Sequence, residues 1–166
     1  MNHPRPIHVL FLCTHNSARS ILAEALLNHI GNRRFRAFSA GSDPASGPNP
    51  LALQVLQEAL IATPGLHSKS WNEFGGEGAP PMDLVITVCD NAAGETCPYW
   101  PGQPATAHWG YADPSAVQAG SDEEKLAAFR STMLAIRHRL ELLVSLPLTS
   151  LDRAALQSHA HDLGTA

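Results

Sequence analysis

The sequence predicts an α/β domain in which a parallel sheet carries helices on both faces, giving three layers. Short apolar runs typical of buried strands alternate with segments whose apolar residues recur at helical spacing. Strands that are joined through helices by right-handed crossovers run parallel. With 166 residues, of which 44% are hydrophobic, the chain can bury one core of this kind. We expect a single domain over residues 1–147 and a C-terminal tail over residues 148–166, helical in pattern and without an assigned role.

The first half of the chain contains two predicted strands and two predicted helices. Ile7–Leu12 is a continuous apolar run, as expected of a strand buried on both faces. The apolar residues of segment 17–30 fall on one helical stripe. Phe35–Ala40 is the second predicted strand. Asn49 is an N-cap before a first-turn proline, which predicts a helix over Leu51–Leu60 whose last residue faces inward.

The second half of the chain repeats this alternation. Leu84–Val88 is the clearest strand of the sequence, since it is continuous and rich in β-branched residues. Thr106–Trp109 is a weaker fourth strand. Ser121 and Glu124 have the spacing of a capping box, and the helical pattern that follows continues to Pro147.

Composition excludes several classes of function. A net charge of −4 provides no basic surface for nucleic acid. No stretch has the length of a transmembrane helix, and the N-terminus lacks the apolar region of a signal peptide. We therefore expect a cytoplasmic protein that binds neither nucleic acid nor membrane. In that compartment its three cysteines are expected to be reactive or buried rather than bridged.

The main chemical signal is the segment Cys13–Ser20, which reads CTHNSARS between the first strand and the first helix. Backbone N–H groups of such a loop, and the helix N-terminus behind it, point into one small volume and bind a tetrahedral oxyanion. Arg19 adds a forked cation for two oxyanion oxygens. The same positive field predicts a lowered pKa and a nucleophilic thiolate at Cys13. The residues expected to bind the oxyanion are Thr14, His15, Asn16, Ser17, Ala18, Arg19 and Ser20.

An ordinary structural reading of this segment is a buried cysteine at the end of a strand and a solvated arginine in the first helical turn. The small polar residues between Cys13 and Arg19 favour the oxyanion site over that alternative.

Two further cysteines follow the third predicted strand. Parallel strands end at the same edge of a sheet, where ligands bind. If the first and third strands are neighbours, about 4.8 Å apart, Cys13 and Cys89 emerge side by side, near the Cα separation of about 4.4–6.8 Å that a disulfide needs. Cys97 follows in a loop, so Cys89 could pair with either cysteine in a thiol–disulfide relay. Alternatively, Cys89 is a small apolar strand residue and Cys97 an incidental surface thiol. The spacing does not match a compact zinc site.

Asp113 follows the fourth strand at the same edge. A carboxyl group there can protonate an oxygen that leaves the bound oxyanion. The alternative is that Asp113 and Pro114 only open a turn.

Together these motifs resemble a known family. The cysteine loop followed far downstream by Asp113-Pro114 resembles the low-molecular-weight protein tyrosine phosphatases. The resemblance to the arsenate reductases built on that fold is carried by VCDN at 88–91, ETCP at 95–98 and HWG at 108–110. It extends over residues 7–147 and implies a four-stranded parallel sheet flanked by helices. It also implies arsenate as substrate, with phosphate or sulfate as mimics, and arsenite as product.

The resemblance assigns a role to each residue of the site. It implies that Cys13 is the nucleophile, that Arg19 is the oxyanion clamp and that Asp113 is the general acid. It implies that Cys89 and Cys97 are the second and third thiols of a disulfide relay.

The resemblance also implies a reductant and an ion. An external thiol system is expected: thioredoxin, glutathione with glutaredoxin, or mycothiol. No tightly bound cofactor is expected, and the protein is expected to be a monomer. Asn16, Glu24 and Ser39 match positions that hold potassium in some members. The chain departs from some thioredoxin-coupled members at Ala18, where they carry a further cysteine, and in the longer interval between its last two cysteines.

Two other functions compete with arsenate reduction. A phosphatase acting on aryl phosphates shares the first half of the chemistry. Against it, Asp113-Pro114 is followed by Ser115 and Ala116, where tyrosine phosphatases carry an aromatic residue. A non-enzymatic metalloid-binding or redox-sensing protein would use only the thiols. Arg19 and Asp113 disfavour that function, because neither group helps to bind neutral arsenite.

Overall fold

A computed structural model of the chain describes residues 5–76, 78–89, 104–116, 120–149 and 152–165. Four strands form one parallel sheet in the order β2-β1-β3-β4, which confirms the predicted α/β fold with four parallel strands. The strands are β1 (Ile7–Leu12), β2 (Phe35–Ala40), β3 (Leu84–Thr87) and β4 (Ala105–His108). The described α-helices are α1 (Arg19–Ile30), α2 (Pro50–Glu58), α3 (Asp122–Val144) and α4 (Arg153–Thr165), with 3-10 helices at Trp71–Phe74 and Pro114–Ala116.

The strands end in register along one edge of the sheet. Leu12 lies opposite Ala40 on one side and Thr87 on the other, and Thr87 lies opposite His108. The residues that follow these positions therefore emerge together at the carboxyl edge, where parallel sheets bind ligands.

Side chains of β1 alternate between two apolar clusters, as expected of a strand buried on both faces. Phe11 joins the larger cluster, which includes Leu22 of α1, Val55 of α2 and Ile136 of α3. The opposite face carries a smaller cluster, which comprises Leu10, Leu12, Ala40, Trp71, Phe74, Met82 and Val85. The four described α-helices therefore share one core, whereas a 3-10 helix contributes to the cover of the other face.

The prediction that Leu60 faces inward is wrong. Its side chain is 87% exposed, and its backbone has a φ of 61°. α2 ends at Glu58, and the amide of Ile61 donates to the carbonyl of Leu56, the hydrogen bond of a left-handed helix end. Ile61, 3% exposed, takes the buried position instead.

The C-terminal residues form a helix that packs on the edge strand. Gln157 binds both backbone groups of Thr106: its Oε1 accepts from the amide at 2.9 Å and its Nε2 donates to the carbonyl at 2.6 Å. The Trp109 indole N–H donates to the carbonyl of Ala160 at 2.9 Å. A Cβ on Gly164 would lie 2.4 Å from the carbonyl oxygen of His108, so only glycine allows this approach. α4 thus covers an edge that would otherwise expose unpaired backbone groups.

None of the helices within the described ranges is both long and apolar enough to cross a bilayer.

Candidate active site

The loop between β1 and α1 is anchored at the carboxyl edge of the sheet. The Cys13 amide donates to the carbonyl of Ala40 at 3.2 Å, which extends the pairing with β2 by one residue. α1 then begins at Arg19, and no described side chain caps its N-terminus at Ala18. The first amides of α1 are therefore left for another acceptor, which an anion can supply.

Hydrogen bonds along its outer side orient the peptide groups of the loop. The carbonyls of Thr14, His15 and Ser17 accept from the amides of Asp43, Ala45 and Asn49 at 2.8–2.9 Å. In a trans peptide the N–H points opposite to the carbonyl. The amides that follow these carbonyls, including those of residues 15, 16 and 18, therefore point to the inner side, as expected of an oxyanion site.

Asn16 holds the loop from within. It is fully buried with a φ of 48°, a conformation that asparagine tolerates better than most residues. Its Nδ2 donates to Ser20 Oγ at 2.8 Å, its Oδ1 accepts from the Lys69 amide at 3.0 Å, and its carbonyl accepts from Ser68 Oγ at 2.6 Å. These bonds tie the loop to α1 and to segment 68–69.

Arg19 is positioned by the loop that follows β4. Its Nη1 donates to the carbonyl of Tyr111 at 2.9 Å, and its Nη2 lies 3.7 Å from Asp113 Oδ2. Its Nε is buried and has no hydrogen-bond partner among the described residues. An unsatisfied buried donor of this kind requires an acceptor. A bound oxyanion would provide one.

Asp113 has two differently engaged oxygens. Its Oδ1 accepts from the amide of Ser115 at 2.9 Å and from the Ser115 hydroxyl at 2.7 Å. Its Oδ2 faces Arg19. With 42% of its side chain exposed, Asp113 is open to solvent, while its Oδ1 is held in place by Ser115. This geometry suits a proton donor at the rim of the loop.

Cys89, which follows β3, packs against the loop between β1 and α1. It is 2% exposed, and its Sγ accepts from the Thr14 amide at 3.4 Å and lies 3.7 Å from Thr14 Oγ1. Cys13 and Cys89 are both free thiols, and their side chains are hydrogen-bonded to each other. The expected proximity of these two sulfurs is therefore present.

The predicted lowering of the Cys13 pKa is wrong for this state. The hydrogen bond with Cys89 and, second, burial hold the pKa of the Cys13 thiol well above its ordinary value. The Arg19 cation and the Thr14 amide act in the opposite direction but do not outweigh them. The sequence showed the positive field of the loop, whereas the neighbouring thiol that opposes it comes from a distant strand.

The structure brings most of the predicted residues together. Cys13, Arg19, Asp113 and Cys89 meet at one point of the sheet edge. The side chain of His15 is 61% exposed and contacts Asp43, so this residue faces the site only through its backbone. Cys97 lies outside the described residues.

The residues expected to hold potassium surround a lysine instead. Ser39 Oγ donates to Glu24 Oε1, while Lys69 Nζ donates to the carbonyl of Ser39 at 2.9 Å and lies 3.8 Å from Glu24 Oε1. A potassium ion does not fit beside this ammonium, because two cations would compete for the same oxygens. Sequence reasoning missed Lys69, although it is one of only two lysines in the chain and directly precedes a helix cap.

Tyr111 is a second residue that the sequence did not single out. Its carbonyl accepts a hydrogen bond from Arg19, and its ring faces α3, where the Arg139 guanidinium lies 5.0 Å from the ring centre. Tyr111 therefore links the oxyanion clamp to the helical layer.

The sequence and its curated relatives point to one family. A family model described as low molecular weight phosphotyrosine protein phosphatase matches residues 8–157. An arsenate reductase from Halalkalibacterium halodurans is 35% identical over 133 residues, which is 80% of this chain and 91% of the relative. An arsenate reductase from Bacillus subtilis is 34% identical over the same length, with the same coverage.

Solved structures give the same result. An arsenate reductase in its phosphate-binding state has a TM-score of 0.67 at 26% identity, covering 84% of this chain and 97% of the other. An arsenate reductase in its oxidised state has a TM-score of 0.65 at 26% identity, with 83% and 96% covered. A thioredoxin-dependent arsenate reductase from Corynebacterium glutamicum has a TM-score of 0.55 at 27% identity, covering 86% of this chain and 65% of the other.

Proposed function

This chain belongs to the low molecular weight phosphotyrosine protein phosphatase family, and we propose that within it the protein is an arsenate reductase that converts arsenate to arsenite. The observation that carries this conclusion is the Cys89 thiol, hydrogen-bonded to Cys13 inside the loop. Hydrolysis of a phosphoryl-cysteine adduct requires water. Reduction of an arsenyl adduct requires a thiol that can attack it, and Cys89 supplies one beside Cys13.

Arsenate binds through the inward amides of the loop, the uncapped N-terminus of α1 and the guanidinium of Arg19. The unpartnered Arg19 Nε gains an acceptor, so binding removes an unfavourable buried donor. Phosphate and sulfate have the same tetrahedral shape and are expected to occupy the same position.

The first chemical step forms a bond between sulfur and arsenic. Cys13 loses its proton, and its thiolate attacks the arsenic atom of the bound arsenate. One oxygen leaves as water after receiving a proton from Asp113, whose Oδ2 lies beside Arg19. Amides that point at the remaining oxygens stabilise their charge in the transition state. The product is a Cys13 thiol–arsenate adduct, still at the pentavalent level.

The second step reduces arsenic by two electrons. Cys89 loses its proton and attacks Cys13 Sγ, forming the Cys13–Cys89 disulfide. The bond between sulfur and arsenic breaks, and its electron pair remains on arsenic, which leaves as arsenite. The hydrogen-bond contact between the two side chains supports this step, because the attacking sulfur is already adjacent.

Cys97 completes the relay in this proposal. Its thiolate attacks Cys89, which releases Cys13 and moves the disulfide to Cys89–Cys97. An external thiol reductant then restores the dithiol. Thioredoxin is the first candidate, since one similar structure is a thioredoxin-dependent arsenate reductase. Glutaredoxin with glutathione and mycothiol are the alternatives. The cycle needs reduced thiols, which a reducing compartment such as the cytoplasm maintains.

Coupled turnover tests this function. Arsenate is supplied with thioredoxin, thioredoxin reductase and NADPH, and with the glutaredoxin and mycothiol systems in parallel reactions. We expect arsenate-dependent NADPH oxidation with one system, and loss of steady-state turnover in Cys13→Ser and in Cys89→Ser. An aryl phosphate serves as the control substrate. Hydrolysis of the aryl phosphate by both the wild type and Cys89→Ser, without arsenate reduction, would identify a phosphatase instead.

A further inference from the structure

We propose that the ammonium group of Lys69 replaces the potassium ion used by some relatives, and that Lys69 is a positioning residue of the oxyanion loop. The inference concerns how the loop is held in shape. It rests on the proposed function only where arsenate kinetics are measured, and phosphate binding provides an independent measurement.

The contacts of Lys69 show where the ammonium lies. Its side chain is 8% exposed, and Nζ lies between the carbonyl of Ser39 and the Glu24 carboxylate, itself only 16% exposed. The Ser39 hydroxyl donates to the same carboxylate. Glu24 and Ser39, two of the three residues expected to hold potassium, therefore both contact Lys69 Nζ. A monovalent cation is already present as part of the chain.

Burial makes this arrangement specific. A buried carboxylate requires a compensating charge, and a buried ammonium requires acceptors. Glu24 and Ser39 satisfy these requirements for Lys69, and Lys69 does so for Glu24. An added cation at the same oxygens would face a like charge at short range, so the wild-type protein has no need of potassium.

The backbone of Lys69 transmits this anchoring to the loop. Its amide donates to Asn16 Oδ1 at 3.0 Å, and the preceding residue, Ser68, donates from its hydroxyl to the Asn16 carbonyl. Asn16 in turn holds Ser20 and has a positive φ. The ammonium thus holds residues 68 and 69 in place, and these two residues hold Asn16. The peptide groups of Asn16 form part of the anion site. Lys69 acts through Asn16 and does not touch the substrate.

Salt replacement tests the inference. Midpoints of thermal unfolding, their increase with inorganic phosphate, and the KM for arsenate are measured in KCl, NaCl and choline chloride at equal ionic strength. We expect the wild type to behave alike in all three salts. Lys69→Ala opens a space bounded by Glu24 and Ser39. In choline chloride it should show a lower midpoint and a several-fold weaker affinity for phosphate and arsenate. Potassium should restore part of both.

Two variants separate the charge from the volume of the side chain. Lys69→Met fills the space without a charge and should be weakened in every salt, with no recovery in KCl. Lys125→Ala removes the other lysine, on α3, and should match the wild type throughout. A wild type that needs potassium for stability or phosphate binding would overturn the inference. So would a Lys69→Ala protein that equals the wild type in choline chloride. Because phosphate binding requires no reduction, these outcomes are independent of whether arsenate is turned over.

Discussion

The backbone amide of Thr14 donates to Cys89 Sγ at 3.4 Å, although the two residues are 75 positions apart in the chain. The loop that binds the oxyanion therefore also holds the second thiol of the relay. The Cys89 thiol is also the largest cause of the raised pKa of Cys13, so the two thiols that form the first disulfide of the proposed relay already interact.

Substitution Cys97→Ser should limit the enzyme to a single turnover with a protein reductant. The Cys13–Cys89 disulfide still forms and arsenite is still released once. Without the third thiol, however, the disulfide stays buried, where a protein reductant cannot reach it. Quantification of arsenite per enzyme in a rapid-quench experiment checks this. Sustained turnover at the wild-type rate would show that Cys97 has no part in the relay.

Removal of the Cys89 thiol should make Cys13 more acidic. The hydrogen bond with Cys89 is the largest cause of the raised pKa, so Cys89→Ala should shift the titration of Cys13 to lower pH. The measurement is the rate of alkylation by iodoacetamide as a function of pH, in a Cys97→Ser background that leaves fewer competing thiols. The Cys97→Ser single variant is the reference. Superimposable pH profiles would contradict the assigned cause.

Asp113→Asn should lower kcat by about 10²–10⁴-fold, the usual contribution of a general acid. The amide cannot supply the proton that the departing oxygen needs, but its oxygen can still accept from Ser115. Binding of phosphate, measured by its stabilising effect on thermal unfolding, should change little. The matched control is Ser115→Ala, which removes one donor to Asp113 without removing the carboxyl. An undiminished kcat in Asp113→Asn would assign the proton to another group.

Arg139→Ala should raise the KM for arsenate by roughly 3- to 10-fold, with a smaller effect on kcat. The Arg139 guanidinium lies over the Tyr111 ring, and the Tyr111 carbonyl accepts from Arg19. A cation–π contact contributes about 0.5–2 kcal/mol, and about 1.4 kcal/mol corresponds to a factor of ten. Arg137→Ala is the control on the same helix, because Arg137 pairs only with Glu141 among the described ion pairs. Equal KM values for the two variants would show that Arg139 on α3 does not help to position Arg19.

Gly164→Ala should destabilise the protein by about 1–3 kcal/mol, the usual cost of overpacking. The added Cβ would lie 2.4 Å from the His108 carbonyl oxygen and 2.9 Å from Trp109 Cδ1, so α4 must move away from β4. Urea unfolding measures the loss. The control is Gly76→Ala, where a Cβ meets nothing within 4 Å. If both variants unfold at the same urea concentration, α4 is not packed as described.

The sequence predicted the sheet well because buried parallel strands have a strong local signature. Ile7–Leu12 and Phe35–Ala40 have the observed bounds. The predicted third strand extends one residue beyond Leu84–Thr87, and the predicted fourth strand is shifted by one residue at both ends relative to Ala105–His108. The loop that begins at Cys13 was equally predictable, since its residues are contiguous in the sequence and follow a strand.

Features that depend on contacts between distant segments were not predictable from these patterns. The acidity of Cys13 depends on which side chain lies within hydrogen-bond reach, and that side chain follows another strand. The Tyr111 carbonyl accepts from Arg19 and the Lys69 amide donates to Asn16, and such backbone contacts leave no mark on residue type. The contacts of the Lys69 ammonium with Glu24 and Ser39 join segments that are distant in sequence. Leu60 was misplaced because a left-handed helix end can form without glycine.

Attachment of the last helix through Gln157 has an evolutionary consequence. The glutamine binds the main chain of Thr106, and every residue except proline presents the same N–H and carbonyl there. Side chains on the outer surface of β4 can therefore change while α4 stays bound to it. Insertion or deletion of one residue would shift those groups and detach it. The contact that holds the helix on this strand therefore depends on the path of the main chain and not on which side chain residue 106 carries.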